Sequence, residues 1–99
     1  MRKTLVSILV SLAIAGPALA GWEEGVAAFT KKDYEAARSE FQKVVDQNPD
    51  AFSGHYMLGL SLGFLNRKEE ALNHLRKAYD LNPNDVAIKI ELGRVLARV

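Results

Sequence analysis

The chain has 99 residues, 48% of them hydrophobic and 25% charged, which suffices for one small soluble domain with a packed core. A formal net charge of +1 gives no electrostatic footprint for a nucleic-acid partner. The complete absence of cysteine excludes disulfides, thiolate metal sites, a cysteine nucleophile and a lipid-modified N-terminal cysteine.

Residues 1–20 have the pattern of a secretory signal peptide. Arg2 and Lys3 make a positive start, Leu5 to Ala15 is apolar apart from serines, and Gly16-Pro17 interrupts the helix. Ala18-Leu19-Ala20 supplies the small-x-small pattern that a signal peptidase pocket accepts. The apolar run is short for a bilayer span. The competing readings are an uncleaved anchor and a buried first helix. Cleavage after Ala20 makes Gly21 the new N-terminus, and loss of Arg2 and Lys3 leaves the basic residues one fewer than the acidic ones. This predicts a periplasmic or secreted bacterial protein that meets the membrane only during export.

The remaining sequence predicts five helices, at about 22–31, 34–47, 51–65, 68–80 and 85–98. In the second, Tyr34, Ala37, Phe41, Val44 and Val45 recur at intervals of three and four; in the fourth, Ala71, Leu72, Leu75 and Ala78 do the same. Asn48-Pro49-Asp50 and Asn82-Pro83-Asn84 read as turns, because proline cannot continue a helix and the adjacent Asp or Asn can cap the next one. Asn66-Arg67-Lys68-Glu69 has the spacing of a capping box.

These helices repeat. Gly25, Gly59 and Gly93 are evenly spaced, and the same step links Ala37 to Ala71, Phe41 to Leu75, Pro49 to Pro83, Leu58 to Leu92 and Leu62 to Leu96. No insertion is needed. Gly25, Ala37, Gly59 and Ala71 have almost no side chain, so paired helices can approach closely, while Phe41 and Leu75 fill the space between pairs.

The pattern of Leu58-Gly59, Ala71, Leu75, Ala78 and Pro83, preceded by Gly25, Tyr34, Ala37, Phe41 and Pro49, resembles the tetratricopeptide repeat. The resemblance implies an all-α fold of antiparallel helix pairs stacked as a short right-handed solenoid. About two and a half units are present, at 18–51, 52–85 and an incomplete 86–99, so that residues 21–99 form the repeat domain. The sequence departs from the family pattern at Trp22, one position late, and at His55 and Lys89, which stand where the consensus places tryptophan.

Chemistry is sparse. His55 and His74 are the only histidines and fall on different predicted helices, with no further metal-ligand spacing around them. They read as surface or helix-interface residues. Glu69 and Glu70 fall in the first turn of a helix, where they complement its dipole. No phosphate-cradling glycine loop is present. The expectation is a non-enzymatic protein with no cofactor and no metal.

By the resemblance, the first helices of successive units line a concave face. That places Trp22, Val26, Phe29, Tyr56, Leu60, Phe64, Arg94 and Arg98 along an apolar groove with a basic end, with Trp22, Tyr56, Phe64 and Arg94 as its main contacts. Gly63 would open space in it. The groove suits a helix or peptide with some acidic charge. Positions that hold a carboxylate in family members binding acidic chaperone tails are Trp22, Val26, Met57, Ala87 and Glu91 here, which predicts no such binding. The last helix should leave Leu92, Val95 and Leu96 open for self-association, giving a homodimer or a docked partner helix. The alternative to an adaptor or assembly factor is thus a partial array that acts only through self-association.

Overall fold

A computed structural model describes residues 19–98. The expected signal segment lies outside the described residues except for Leu19 and Ala20. Among the described residues five helices follow one another: α1 Trp22–Thr30, α2 Tyr34–Gln47, α3 Phe52–Phe64, α4 Lys68–Leu81 and α5 Val86–Leu96. Every expected helix is found, with ends within two residues of those read from the sequence. Each helix packs on the next, and α3 also touches α5. The result is an all-helical stack of two helix pairs and a further single helix.

Local chemistry sets the helix ends. The Asp33 carboxylate accepts from the Ala36 N–H at 3.2 Å, and the Asp85 carboxylate from the Ile88 N–H at 3.1 Å. Each satisfies a backbone donor that the first turn leaves unpaired. The residues beside the prolines do not cap: α3 starts from Ala51 without a side-chain cap, and α5 is capped by Asp85 rather than Asn84. The capping box expected at Asn66 is also absent. Asn66 instead adopts a left-handed conformation (φ 64°), and the Arg67 N–H donates to the Leu62 carbonyl at 2.9 Å, closing the end of α3. Asparagine tolerates this backbone region, so the residue ends one helix rather than starting the next. Lys32, its equivalent in the preceding repeat, has nearly the same φ of 66°, so the repetition extends to the turns.

The core runs both within and between the helix pairs. Phe41, Val44, Leu58, Ala71 and Leu75 are fully buried. A β-carbon on Gly25 would come within 2.8 Å of the Phe41 ring, and one on Gly59 within 2.8 Å of Leu75 Cγ. These two glycines therefore let α1 meet α2 and α3 meet α4 at the distance their large partners require. Gly54 brings α3 equally near α2, its missing β-carbon 3.0 Å from Val44 Cγ1. The buried Ser61 hydroxyl donates back to the Met57 carbonyl at 2.9 Å, so it costs the core little.

Ala20, near the first described residue, is anchored by one side chain. Gln47 accepts from the Ala20 N–H at 3.1 Å and donates to the Ala20 carbonyl at 2.7 Å, while Leu19 packs on the core. Gly21 follows with φ 99°, where a β-carbon would lie 2.6 Å from the Glu40 carbonyl oxygen.

Candidate protein-binding groove

Helices α1, α3 and α5 place a strip of side chains along one side of the stack. At its centre is an aromatic cluster. Tyr34 stacks on Phe64 with ring centroids 4.4 Å apart and planes 8° apart, and Phe29 meets both rings edge-on, at 5.2 Å from Tyr34 and 5.7 Å from Phe64. Phe64 is nonetheless 61% exposed. An aromatic ring held by its neighbours but open on one side offers contact area at little entropic cost. Tyr34 joins this strip from α2, and its role was not legible in the repeat pattern because it pairs with a residue of the next unit.

Beside Phe64 a cleft opens between α3 and α5. Leu60, Gly63, Phe64, Leu75 and Val95 line it, with Arg94, Arg98 and Glu91 at its rim, and its cavity volume is about 80 Å³. That is small for a cofactor pocket, which typically needs about 300 Å³ or more, but suits an inserted side chain. A β-carbon on Gly63 would find nothing within 4 Å, so the glycine keeps this space empty without any packing requirement. Exposed Arg94 pairs with half-buried Glu91 at 3.2 Å across one helical turn, and solvent around the arginine weakens the hold. Half-buried Tyr56 also faces α5: burial raises its phenol above the usual tyrosine value, and the Glu91 and Asp85 carboxylates add to that.

Of the expected groove residues, Leu60, Phe64, Arg94 and Arg98 thus come together around one cleft, with Phe29 against Phe64. Val26 is exposed on α1. Trp22 is set apart. It is half-buried and packs edge-on against Phe41, with ring centroids 5.4 Å apart, as part of the α1–α2 core.

The expected self-association residues also divide. Leu96 is 43% exposed and Leu92 half-buried, but Val95 is only 7% exposed. Val95 lies two turns after buried Ile88 on the face that α5 turns to the core, so it does not belong to an open surface.

Among the described residues, no group of three or more His, Cys, Asp or Glu side chains is placed to hold a metal ion, and no helix is long and apolar enough to cross a membrane.

Sequence models described as tetratricopeptide repeat match residues 11–52 and 52–85. The first of these reaches into the segment expected to be a signal. Superkiller complex protein 3 of Mus musculus is 38% identical over 75 residues, covering 71% of this chain, and that of Homo sapiens is 36% identical over 64 residues, covering 60%. The chain spans only 5% and 4% of the length of these relatives. Among solved structures, a MamA RS-1 ArsTM double mutant superposes with a TM-score of 0.77 at 26% identity, covering 79% of this chain and 44% of that one. MamA 41-end from Desulfovibrio magneticus RS-1 gives 0.77 at 22%, covering 98% and 56%. The first tetratricopeptide domain of Spaghetti (RPAP3), bound to the HSP90 peptide SRMEEVD, gives 0.73 at 23%, covering 75% and 59%. With two successive repeat matches, the even register of its glycines and the helix-pair stack, the chain belongs to the tetratricopeptide repeat family.

Proposed function

We propose that the chain is an exported adaptor or assembly factor that binds a helix or an extended peptide in the groove between α1, α3 and α5. One observation carries this reading. The cleft between α3 and α5 has an apolar wall of Leu60, Phe64 and Val95, an arginine rim, and a floor that Gly63 leaves empty. A leucine-sized or larger apolar side chain beside a single carboxylate matches that combination: burial supplies the affinity and Arg98 or Arg94 fixes the register, whereas a run of carboxylates meets Glu91 at the rim. The peptide seen on the Spaghetti domain supports peptide capture as a use of this fold. The test is a peptide display selection against the full chain, with Gly63→Leu as the blocked counterpart. A leucine there enters open space and removes a helix-weakening glycine, so the fold should hold. Selected peptides should bind the native chain at least tenfold more tightly than the variant. Equal binding to both would place the binding surface elsewhere.

Export rests on the residue pattern of 1–20. Gln47 holds both backbone groups of Ala20, and cleavage after Ala20 would give up those two bonds. Intact mass of the protein from an exported fraction decides the matter: export with processing predicts a chain starting at Gly21, and a mass that includes Met1 would overturn it.

A second reading, self-association through α5, is favoured by one specific contrast. Leu96 is 43% exposed, whereas Leu62, its equivalent one repeat earlier, is 3% exposed. On this reading two copies, or one copy and a partner helix, cover Leu92, Gly93 and Leu96.

A further inference from the structure

The two histidines, on different helices, meet in the fold. His55 Nδ1 and His74 Nδ1 are 3.1 Å apart, with the rings inclined by 24°, and His55 Nε2 lies 2.8 Å from the Pro49 carbonyl oxygen. His55 is 6% exposed and His74 half-buried. The three groups form a chain. It runs from the turn that joins the first repeat to the second, through α3, to α4.

The site is a fixed point of the repeat. One unit earlier the same two positions are Gly21 and Glu40, where the Gly21 backbone lies close against the Glu40 carbonyl. His55 also stands where the family pattern has tryptophan. The second unit thus carries a titratable ring at this position.

Proton positions follow from the geometry. A carbonyl oxygen only accepts, so His55 Nε2 must carry a proton and donate to Pro49. With His55 neutral, its Nδ1 is then bare and accepts, and His74 Nδ1–H is the donor. His74 Nε2 remains free to take a further proton, and that addition keeps the Nδ1–H···Nδ1 bond. A second added proton must go to His55 Nδ1. It leaves two N–H groups opposed at 3.1 Å and two positive rings side by side, so the bond cannot survive.

We infer that His55 and His74 form a proton-sharing latch that fastens the second repeat to the turn leading from the first, and that protonation of both rings releases it. The surroundings offer little to offset the double charge. Glu70 on α4, one turn before His74, favours its charged form, but Glu70 is itself bound by Arg67 at 2.7 Å. From α3 comes His55 alone. The turn contributes the Pro49 carbonyl and, beside it, exposed Asp50, and no charge from α2 or α5 is among the groups that shift His74. Burial holds His74 below the ordinary histidine value, and the nearness of His55 acts in the same direction.

The sign is therefore fixed. Unfolded, both rings protonate near pH 6.5, while the latched fold takes up at most one added proton. The stabilisation is fully present above that value and is lost as the pH falls below it. Each excluded proton raises the unfolding constant up to tenfold per pH unit. The test uses the full chain with 15N-labelled histidine. At pH 8, long-range proton–nitrogen correlation should find one ring protonated only at Nε2 and the other only at Nδ1. Two rings in the same tautomer would overturn the latch. Urea unfolding between pH 7.5 and 4.5 should then show a rise in the unfolding constant of more than tenfold that His55→Leu reduces to less than half on a logarithmic scale. Equal pH dependence in the two proteins would also overturn it. Should His55→Leu fail to fold, the tautomers of the native chain still decide.

Discussion

Helices α3 and α5 occupy the same place in successive repeats, yet they live in different surroundings. In α3, Leu58, Gly59 and Leu62 are all buried, because α4 covers them. In α5, the equivalent Leu92 is half-buried, and Gly93 and Leu96 are exposed. The glycines make the contrast sharpest. A β-carbon on Gly59 would strike Leu75, whereas one on Gly93 would meet nothing within 4 Å. The same residue is a packing necessity in one helix and has no packing role among the described residues in the other. In a repeat protein, then, the register states what a position is for, and the neighbours present decide whether that purpose is met.

The contrast is open to mutation. The largest effect is expected for leucine truncation. Leu62→Ala should lose about 2–5 kcal/mol, since it leaves a hole in a closed core, while Leu96→Ala should lose about 1 kcal/mol or less at micromolar concentration. Gly59→Ala and Gly93→Ala should differ in sign. The first overpacks Leu75 at a cost of about 1–3 kcal/mol, which exceeds the gain in helix propensity; the second keeps that gain, about 0.5–1 kcal/mol. Urea midpoints on all four variants check both pairs, and similar losses at Leu62 and Leu96 would mean that α5 is as well covered as α3. The smallest effect is an expected null. A peptide ending in Glu-Glu-Val-Asp should show no saturable binding, because Trp22 is turned to Phe41 and Glu91 repels a carboxylate at the position that would need to hold it. Micromolar affinity would contradict the assignment of the groove.

Much of this fold was legible in the sequence because its determinants are periodic. The constant repeat step located the helix pairs, but Phe41 and Leu75, expected between neighbouring pairs, meet Gly25 and Gly59 within each pair. Contacts that break the period were not legible. Tyr34 stacks on Phe64 across two units, at positions that do not correspond in the repeat. Asn66 carried the signature of a helix start, but its tolerance of a left-handed backbone made it a helix end. Val95, expected on the open side, belongs to the core; α5 is apolar nearly all round, at Val86, Ile88, Ile90, Leu92, Val95 and Leu96, so the pattern does not mark its inner face. The meeting of His55 with His74 was not legible either, because it joins two helices and no spacing within one helix announces it.

On the self-association reading, what sets α5 apart from α3 is that its uncovered flank is a seat for a second copy of the chain, and sedimentation equilibrium tests it most directly. The native full chain should associate at concentrations where the Leu92→Glu, Leu96→Glu double variant is monomeric, with the far-ultraviolet helical signal of the variant largely retained. Burying leucine-sized side chains is worth roughly 1.5–3 kcal/mol each, so introducing two charges should weaken association by at least a hundredfold. A native chain that remains a well-behaved monomer at high concentration would contradict the claim.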